Sequence, residues 1–313
     1  MMKRTRIFMK THKSAATKIA KSVLTTVFLL CTILYSKAQL APFQNMYFQN
    51  KYIYNPAMAG LDKGLNLNVA YRKQWSSFPG TPETGMITAD LKATDKVGLG
   101  VNVVNDKAGL IKQTRAVATY AYHLPLNDQD SHLSFGVSLG INDSRVDQNA
   151  VNGDPTDMEL NRYNELKAYL DGDFGVAYTS SRLYLSASMP NLKSTFANSS
   201  DQRIDVDKLL FIGIASYKIP VGDGGNFTLE PLAGLRVVKG YKDIVDVGAN
   251  FSIDQYGLFF QSIYHSSNSL GFGAGLDQGT YAFNVSYNLE TGQLKTYTHG
   301  AFELGLKLKL FGK

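Results

Sequence analysis

Strict two-residue alternation of apolar and small polar side chains, repeated from about residue 64 to the end of the chain, limits this sequence more than any other feature. From His132 to Asn142 it sets Leu133, Phe135, Val137, Leu139 and Ile141 against Ser134, Gly136, Ser138 and Gly140. Leu65, Leu67, Val69 and Tyr71 oppose Asn66, Asn68, Ala70 and Arg72, while Val97, Leu99, Val101 and Val103 oppose Gly98, Gly100 and Asn102. The final run sets Phe302, Leu304, Leu306, Leu308 and Leu310 against Glu303, Gly305, Lys307 and Lys309. A period of two is the signature of a strand with unlike faces. No helix-period segment of useful length follows Gln39. Fourteen such segments can be drawn between 64 and 310, among them 64–75, 96–105, 114–124, 132–142, 208–219 and 301–310. Most are close to the roughly 9–11 residues that a tilted membrane strand needs.

The composition of the second face separates lipid from water. A soluble sandwich buries its apolar face and solvates the other, often with long charged side chains. Here the second face is Gly, Ser, Asn and Ala with scattered charge, which suits a crowded or water-filled lumen. Aromatic residues gather near strand ends (Tyr71 with Trp75, Tyr120 with Tyr122, Tyr178, Tyr264), as interfacial girdles do. The expected fold is an all-β, transmembrane antiparallel β-barrel of the outer-membrane type with about 14 strands. A soluble all-β domain is the alternative, because alternation alone does not distinguish lipid from core.

Connection lengths point the same way. Taken alternately, the gaps hold 8, 8, 24, 17, 5, 3 and 12 residues on one side and 3, 7, 2, 7, 3 and 3 on the other. Averages of about 11 against about 4 match the long external loops and short periplasmic turns of outer-membrane barrels. An even strand number then puts both termini on the periplasmic side.

The first 38 residues read as a secretory signal peptide. Lys3, Arg4, Arg6, Lys10, Lys13, Lys18, Lys21 and Lys37 occur there without a single acidic residue, around an apolar run from Val23 to Tyr35. Ser36-Lys37-Ala38 supplies small residues at the cleavage positions, so Gln39 is the expected first residue after export. Eight of the 32 basic residues belong to this leader; its removal leaves 24 basic against 26 acidic residues, a net of −2 in place of +6. The basic balance therefore gives no footing for nucleic-acid binding. Cys31, the single cysteine, leaves with the leader, so no internal disulfide can form. The resulting organisation is 1–38 signal peptide, 39–63 periplasmic N-terminal segment and 64–313 barrel. Fourteen strands fall between barrels filled by side chains and sixteen-stranded open porins, which makes residues 39–60 a candidate plug.

Nothing in the chain signals catalysis, a cofactor or a metal. His123, His132, His265 and His299 lack the i, i+2 or i, i+4 partners of a metal site. Asp143, Asp147, Asp154, Asp157 and Glu159 make the longest loop acidic without the spacing of a calcium hand. No G-x-S-x-G elbow, phosphate loop or zinc-protease motif occurs. Gly98-Leu99-Gly100 reads as close packing or a lumen kink. In Tyr71-Arg72-Lys73-Gln74-Trp75, alternation points Arg72 and Gln74 into the lumen and Tyr71, Lys73 and Trp75 outward.

Between Tyr52 and Pro82 the punctuation is distinctive: Asn55-Pro56-Ala57-Met58-Ala59-Gly60, then Tyr71 to Trp75, then Gly80-Thr81-Pro82. Val104-Asn105-Asp106-Lys107-Ala108-Gly109 follows, and later Met189-Pro190-Asn191-Leu192. Together these stretches resemble the PorP/SprF family across essentially the whole chain after the leader. Its Asn-Asp-x-x-Gly turn and its strand ending in Pro-Asn correspond to 105–109 and 190–191. His299 with Glu303 is a loose echo of a closing His-Glu pair that is adjacent in the family, and no role is carried over to either. Asn55, Pro56, Ala57, Gly60, Tyr71, Arg72, Gln74, Trp75, Gly80, Pro82, Asn105, Asp106, Gly109, Pro190 and Asn191 are the motif residues, structural or partner-binding.

The resemblance implies an outer-membrane barrel of the type IX secretion system of Bacteroidetes. It implies partners too: secreted cargo with a C-terminal sorting domain, gliding adhesins among it, the translocon with periplasmic components, and outer-membrane lipid. The expected role is non-enzymatic cell-surface anchoring and secretion. A passive channel or hydrophobic-solute transporter is the alternative, and a barrel enzyme with dispersed residues a third reading.

Overall fold

The computed structural model describes residues 43–74, 80–127, 131–147, 158–196, 209–222, 226–291 and 300–312. Its strands are β1 Leu65–Gln74, β2 Glu83–Lys92, β3 Val97–Ala108, β4 Ile111–Pro125, β5 His132–Val146, β6 Tyr169–Thr179 and β7 Leu183–Met189. They continue as β8 Leu209–Tyr217, β9 Ile219–Val221, β10 Phe227–Val238, β11 Ile244–Ile253, β12 Leu258–His265, β13 Ser269–Asp277, β14 Tyr281–Glu290 and β15 Ala301–Leu310. Two short helices, α1 Met158–Glu165 and α2 Leu192–Phe196, lie in the connections, and two 3-10 turns, Lys51–Ile53 and Pro56–Met58, precede the sheet.

Neighbouring strands pair antiparallel, and β1 pairs with β15 from Leu65↔Leu310 to Gln74↔Ala301, which closes the sheet into a barrel. β8 and β9 lie on the same edge of β10 in one continuous register, Leu232↔Ser216 and Leu229↔Ile219. They are one stave interrupted at Lys218, so the described residues form fourteen staves. That register places Pro231, which has no N–H to give a ladder, opposite Tyr217 beside the break.

Burial follows the alternation in an inverted sense. Val69, Ile87, Val101, Phe260, Phe302 and Leu139 (63% exposed) face outward, while Asn66, Asn68, Thr88, Ser134, Ser138, Ser286 and Glu303 are buried facing inward. Exposed apolar and buried polar faces are what a lipid-embedded barrel requires. Closure also leaves no unpaired edge in the hydrocarbon.

By the strands that flank them, the long connections (75–82, 147–168, 190–208 and 291–300) share one end of the barrel, the end at which β1 finishes and β15 begins. The other end carries 93–96, 126–131, 180–182, 222–226, 254–257 and 278–280. One expected long loop is absent. β3 and β4 run on to Ala108↔Ile111 and turn through Gly109 (φ 60°) and Leu110, so Asn105 and Asp106 lie in a strand and only Gly109 in a turn. Beyond the lipid both strand faces meet water, so polar residues such as Asp106, Lys107, Lys112 and Gln113 extend the hairpin without alternating. Similarly β5 runs to Val146, so Asp143 sits in the strand, where its carboxylate accepts from Arg145 at 2.8 Å.

Residues 43–61 lie inside the barrel. Phe43, Met46, Tyr47, Tyr52, Tyr54, Ala57, Met58 and Ala59 form the apolar core with inward residues such as Ala70, Met86, Ala121, Ala177, Tyr184, Ile212 and Ile263.

Candidate functional site

The inner segment enters β1 at the short-turn end, and its chemistry is best followed upward from there. Gly60 has φ 66°, and its N–H donates to Asp90 Oδ2 at 3.0 Å. A side chain on Gly60 would collide with the Leu91 carbonyl, and one on Gly98 with the Ala59 carbonyl. The same Ala59 oxygen is 3.0 Å from His123 Nε2, whose Nδ1 is 2.8 Å from Ser134 Oγ. Gly136 admits the Pro56–Ala57 peptide and Gly175 the Asn55 side chain, with no room for a Cβ at either.

Asn55 organises this end. Its extended backbone precedes the turn that Pro56, with its fixed φ, begins. The side-chain oxygen accepts from the Ala57 N–H at 2.8 Å. Its Nδ2 donates to the Val176 carbonyl (2.9 Å) and to Ser186 Oγ (2.8 Å), which ties the turn to β6 and β7. Ser188 Oγ donates to the Tyr54 carbonyl at 2.6 Å. Tyr52 OH, Thr119 Oγ1 and Ser138 Oγ form a chain with steps of 2.7 Å. Among the described residues, the motif residues Asn55, Pro56, Ala57 and Gly60 thus lock backbone against backbone.

Near the long-loop end the wall is charged. Arg72 (1% exposed) faces its cross-strand partner Glu303 (0%) at 3.4 Å. Glu303 also accepts the Gln44 N–H at 2.9 Å and the Asn45 N–H at 3.1 Å. Arg236 donates to both oxygens of Asp246, at 2.7 and 2.8 Å. Tyr47 OH donates to that carboxylate at 2.5 Å, and His265 Nδ1 lies 2.6 Å from it. Tyr47 stacks on Tyr54, ring centroids 4.4 Å apart, which links the two ends of the segment. Gln261 Nε2 donates to the Asn45 carbonyl at 2.7 Å. These groups give a polypeptide chain charge-assisted partners for its amides and phenol.

Other motif residues are placed elsewhere. Tyr71 is 41% exposed on the lipid face. The Gln74 N–H donates to the Pro82 carbonyl at 2.9 Å, and Trp75 lies outside the described residues. Gly80 and Gly109 meet at the long-loop rim, where the Gly109 N–H donates to the Gly80 carbonyl at 3.0 Å. Asp106 accepts from Thr84 at 2.5 Å and Asn105 donates to Thr114 at 2.8 Å. Asn191, in the left-handed region at φ 55°, donates through Nδ2 to the Leu209 carbonyl at 3.1 Å. Its N–H and that of Lys193 donate to Asp173 and Asp171, folding α2 against the lumen side of β6. Pro56 and Pro190 line a cavity of about 50 Å³ with Tyr52, Asn102, Arg115 and Asp173. Arg115 and Asp173 pair there at 2.6 Å.

Glu303, Arg236, Asp246, His265, Asp90 and His123 were not readable as site residues. Their one signal is a charged or imidazole side chain on a face otherwise made of Gly, Ser and Asn. Of the histidines, His123 and His265 are bound within the protein and His299 lies outside the described residues. Among the described residues no group of three His, Cys, Asp or Glu side chains could hold a metal ion. At the short-turn rim, Asp62 lies 3.4 Å from Lys307 and 3.8 Å from Lys309. The Asp62 side chain is 54% exposed; partial desolvation acts to raise its carboxyl, but the two lysines hold it below its ordinary value.

A family model described as type IX secretion system membrane protein PorP/SprF matches residues 36–308. No curated protein matches the sequence. Among solved structures, the chain is similar to the outer membrane protein Omp33 of Acinetobacter baumannii, with TM-score 0.46 and 8% identity over 80% of this chain and 100% of that one. It is similar also to a KdgM porin, with TM-score 0.39 and 8% identity over 78% and 99%. A Rh. blastica porin variant gives TM-score 0.33 and 11% identity over 79% and 99%.

Proposed function

Because the chain belongs to the PorP/SprF family of type IX secretion system membrane proteins, we propose that it is a non-enzymatic outer-membrane accessory that receives or anchors secreted surface proteins. In this reading the leader is cleaved, the C-terminus and the short turns face the periplasm, and residues 39–63 plug the lumen, descending from Glu303 near the long-loop end to the start of β1. The long loops grip cargo at the cell surface, and the periplasmic end meets other components of the secretion system. The observation that carries the reading is the occupied lumen: a barrel that holds its own chain at backbone-to-backbone distance is better suited to holding a partner at its mouth than to passing solutes.

A pull-down from intact outer membranes, identified by mass, should recover a secreted surface protein. Deletion of 191–207 should release that protein into the medium. Unchanged surface retention after the deletion would sink the cargo-gripping role of this loop. A passive channel makes the opposite electrical prediction, steady conductance from the purified barrel alone.

A further inference from the structure

The two ends of the inner segment are held by different means. Residues 55–60 are gripped by the wall glycines Gly98, Gly136 and Gly175, where no Cβ fits, and by Asn55 and Asp90. None of the side-chain nitrogens or oxygens of residues 50–61 is buried without a partner. In residues 43–49, by contrast, both side-chain amide atoms of Gln44 and of Asn45, and Oε1 of Gln49, are buried without one. Both walls hold such atoms, His265 Nε2, Arg236 Nη1 and Ser269 Oγ on this side and Asn102 Oδ1 and Arg115 Nε beside Tyr52 and Pro56, but within the segment itself they fall only in residues 43–49. His265 stands between Asp246 and Ser269 in register across β11, β12 and β13. The glycines at this end, Gly271 and Gly305, approach the segment through the side chains of Asn45 and Met46.

Buried polar groups left unpaired cost free energy that water would return, so this end gains hydration by leaving. Backbone packed against glycine gains nothing comparable. We infer that the inner segment is a hinged strap: residues 43–49 release from Glu303 and Asp246 while Asn50–Gly60 stay docked, opening a charged path along β10–β15 and β1. The inference rests on the plug reading of the same segment. The hinge falls between Gln49 and Asn50, because Asn50 Nδ2 donates to Thr88 at 3.1 Å and Tyr52 OH joins Thr119 at 2.7 Å, both on the docked side of the lumen. Opening it also breaks the Tyr47–Tyr54 stack and the bond from Tyr54 OH to the Phe43 carbonyl. Release would bare Arg72, Arg236, Asp246, His265 and Glu303 together, one cationic and anionic patch at the long-loop mouth.

Amide hydrogen exchange on the purified full-length barrel, read by mass, tests this. The Gln44 and Asn45 amides should exchange at least about tenfold faster than those of Ala57 and Gly60, the behaviour of a local opening unit. Tyr47→Phe, which removes only the phenol donor to Asp246, should widen that ratio without changing residues 57–60. Glu303→Gln should do so more strongly, and a heat-dependent mobility shift on gels reports whether each variant still forms a barrel. Equal protection at both ends, or loss of protection along 44–60 as one unit, overturns the strap. Bilayer conductance separates its failure from that of the plug: a wild-type barrel that conducts steadily defeats the plug itself, whereas a closed barrel with uniform protection defeats only the hinge.

Discussion

The two walls of the lumen solve one problem, holding a chain inside a polar barrel, in unlike ways. The wall from β3 to β7 works by shape: Gly98, Gly100, Gly136 and Gly175 remove side chains where Tyr52, Asn55, Pro56, Ala57 and Ala59 press in. The wall from β10 through β15 to β1 works by charge: Arg72, Glu303, Arg236 and Asp246 are almost wholly buried, and their partners include the Gln44 and Asn45 amides and the Tyr47 hydroxyl. Shape complementarity fails abruptly when a methyl group is added. A buried charge network fails when one member is removed and the others are left without a counter-charge.

That contrast can be broken from either side. The largest effect should come from Asp246→Ala, which strands the Arg236 guanidinium in the wall; a loss of about 3–5 kcal/mol is expected, measured by denaturant unfolding of the reconstituted barrel. A loss below about 1 kcal/mol would mean that the charged wall is hydrated and adds little. Next is Gly136→Val on the opposite wall. It should cost about 1–3 kcal/mol by overpacking and should expel the segment, so that protease cleaves between residues 43 and 61. Asn55→Ala removes the turn cap and should cost about 0.5–2 kcal/mol in the same unfolding assay, with the barrel wall itself unchanged.

The smallest effect concerns acid. The Asp62 carboxyl lies below its ordinary value, so its contact with Lys307 and Lys309 contributes above the unfolded carboxylate range, near pH 4, and is lost as pH falls through the lower folded value. Protease access around residue 62 should therefore rise only below about pH 4, and the rise should vanish in Asp62→Asn. A transition centred near neutrality would contradict that assignment.

Much of the fold was legible because lipid imposes one rule on every outward position. Leu139 and Phe302 could be placed on the same surface without knowing which strands pair. That rule ends at Asn105 to Thr114, where both faces of the hairpin are wet above the membrane and alternation no longer marks the strand. The break at Lys218 leaves no mark on the eighth strand's own residues, because the missing ladder donor belongs to Pro231 on the next strand.

The site was less legible. The Asn55–Gly60 stretch could be recognised as a turn, and the small residues of the wall as lumen-facing. Their fit against each other depends on positions far apart in sequence, such as Ala57 and Gly136. Arg72 and Glu303 meet only because the first stave closes on the last, 231 positions later. Arg236 and Asp246 were nearer to hand. They sit ten residues apart across a short connection, inward on both strands, and a search for opposite charges on the non-lipid face would have paired them.

The central claim is that the barrel is closed by its own chain. Current through planar bilayers, compared between the full protein and a variant lacking residues 39–60, tests it most directly. The full-length barrel should be electrically quiet and the truncated one should conduct. Steady current of the same size from both proteins would contradict it.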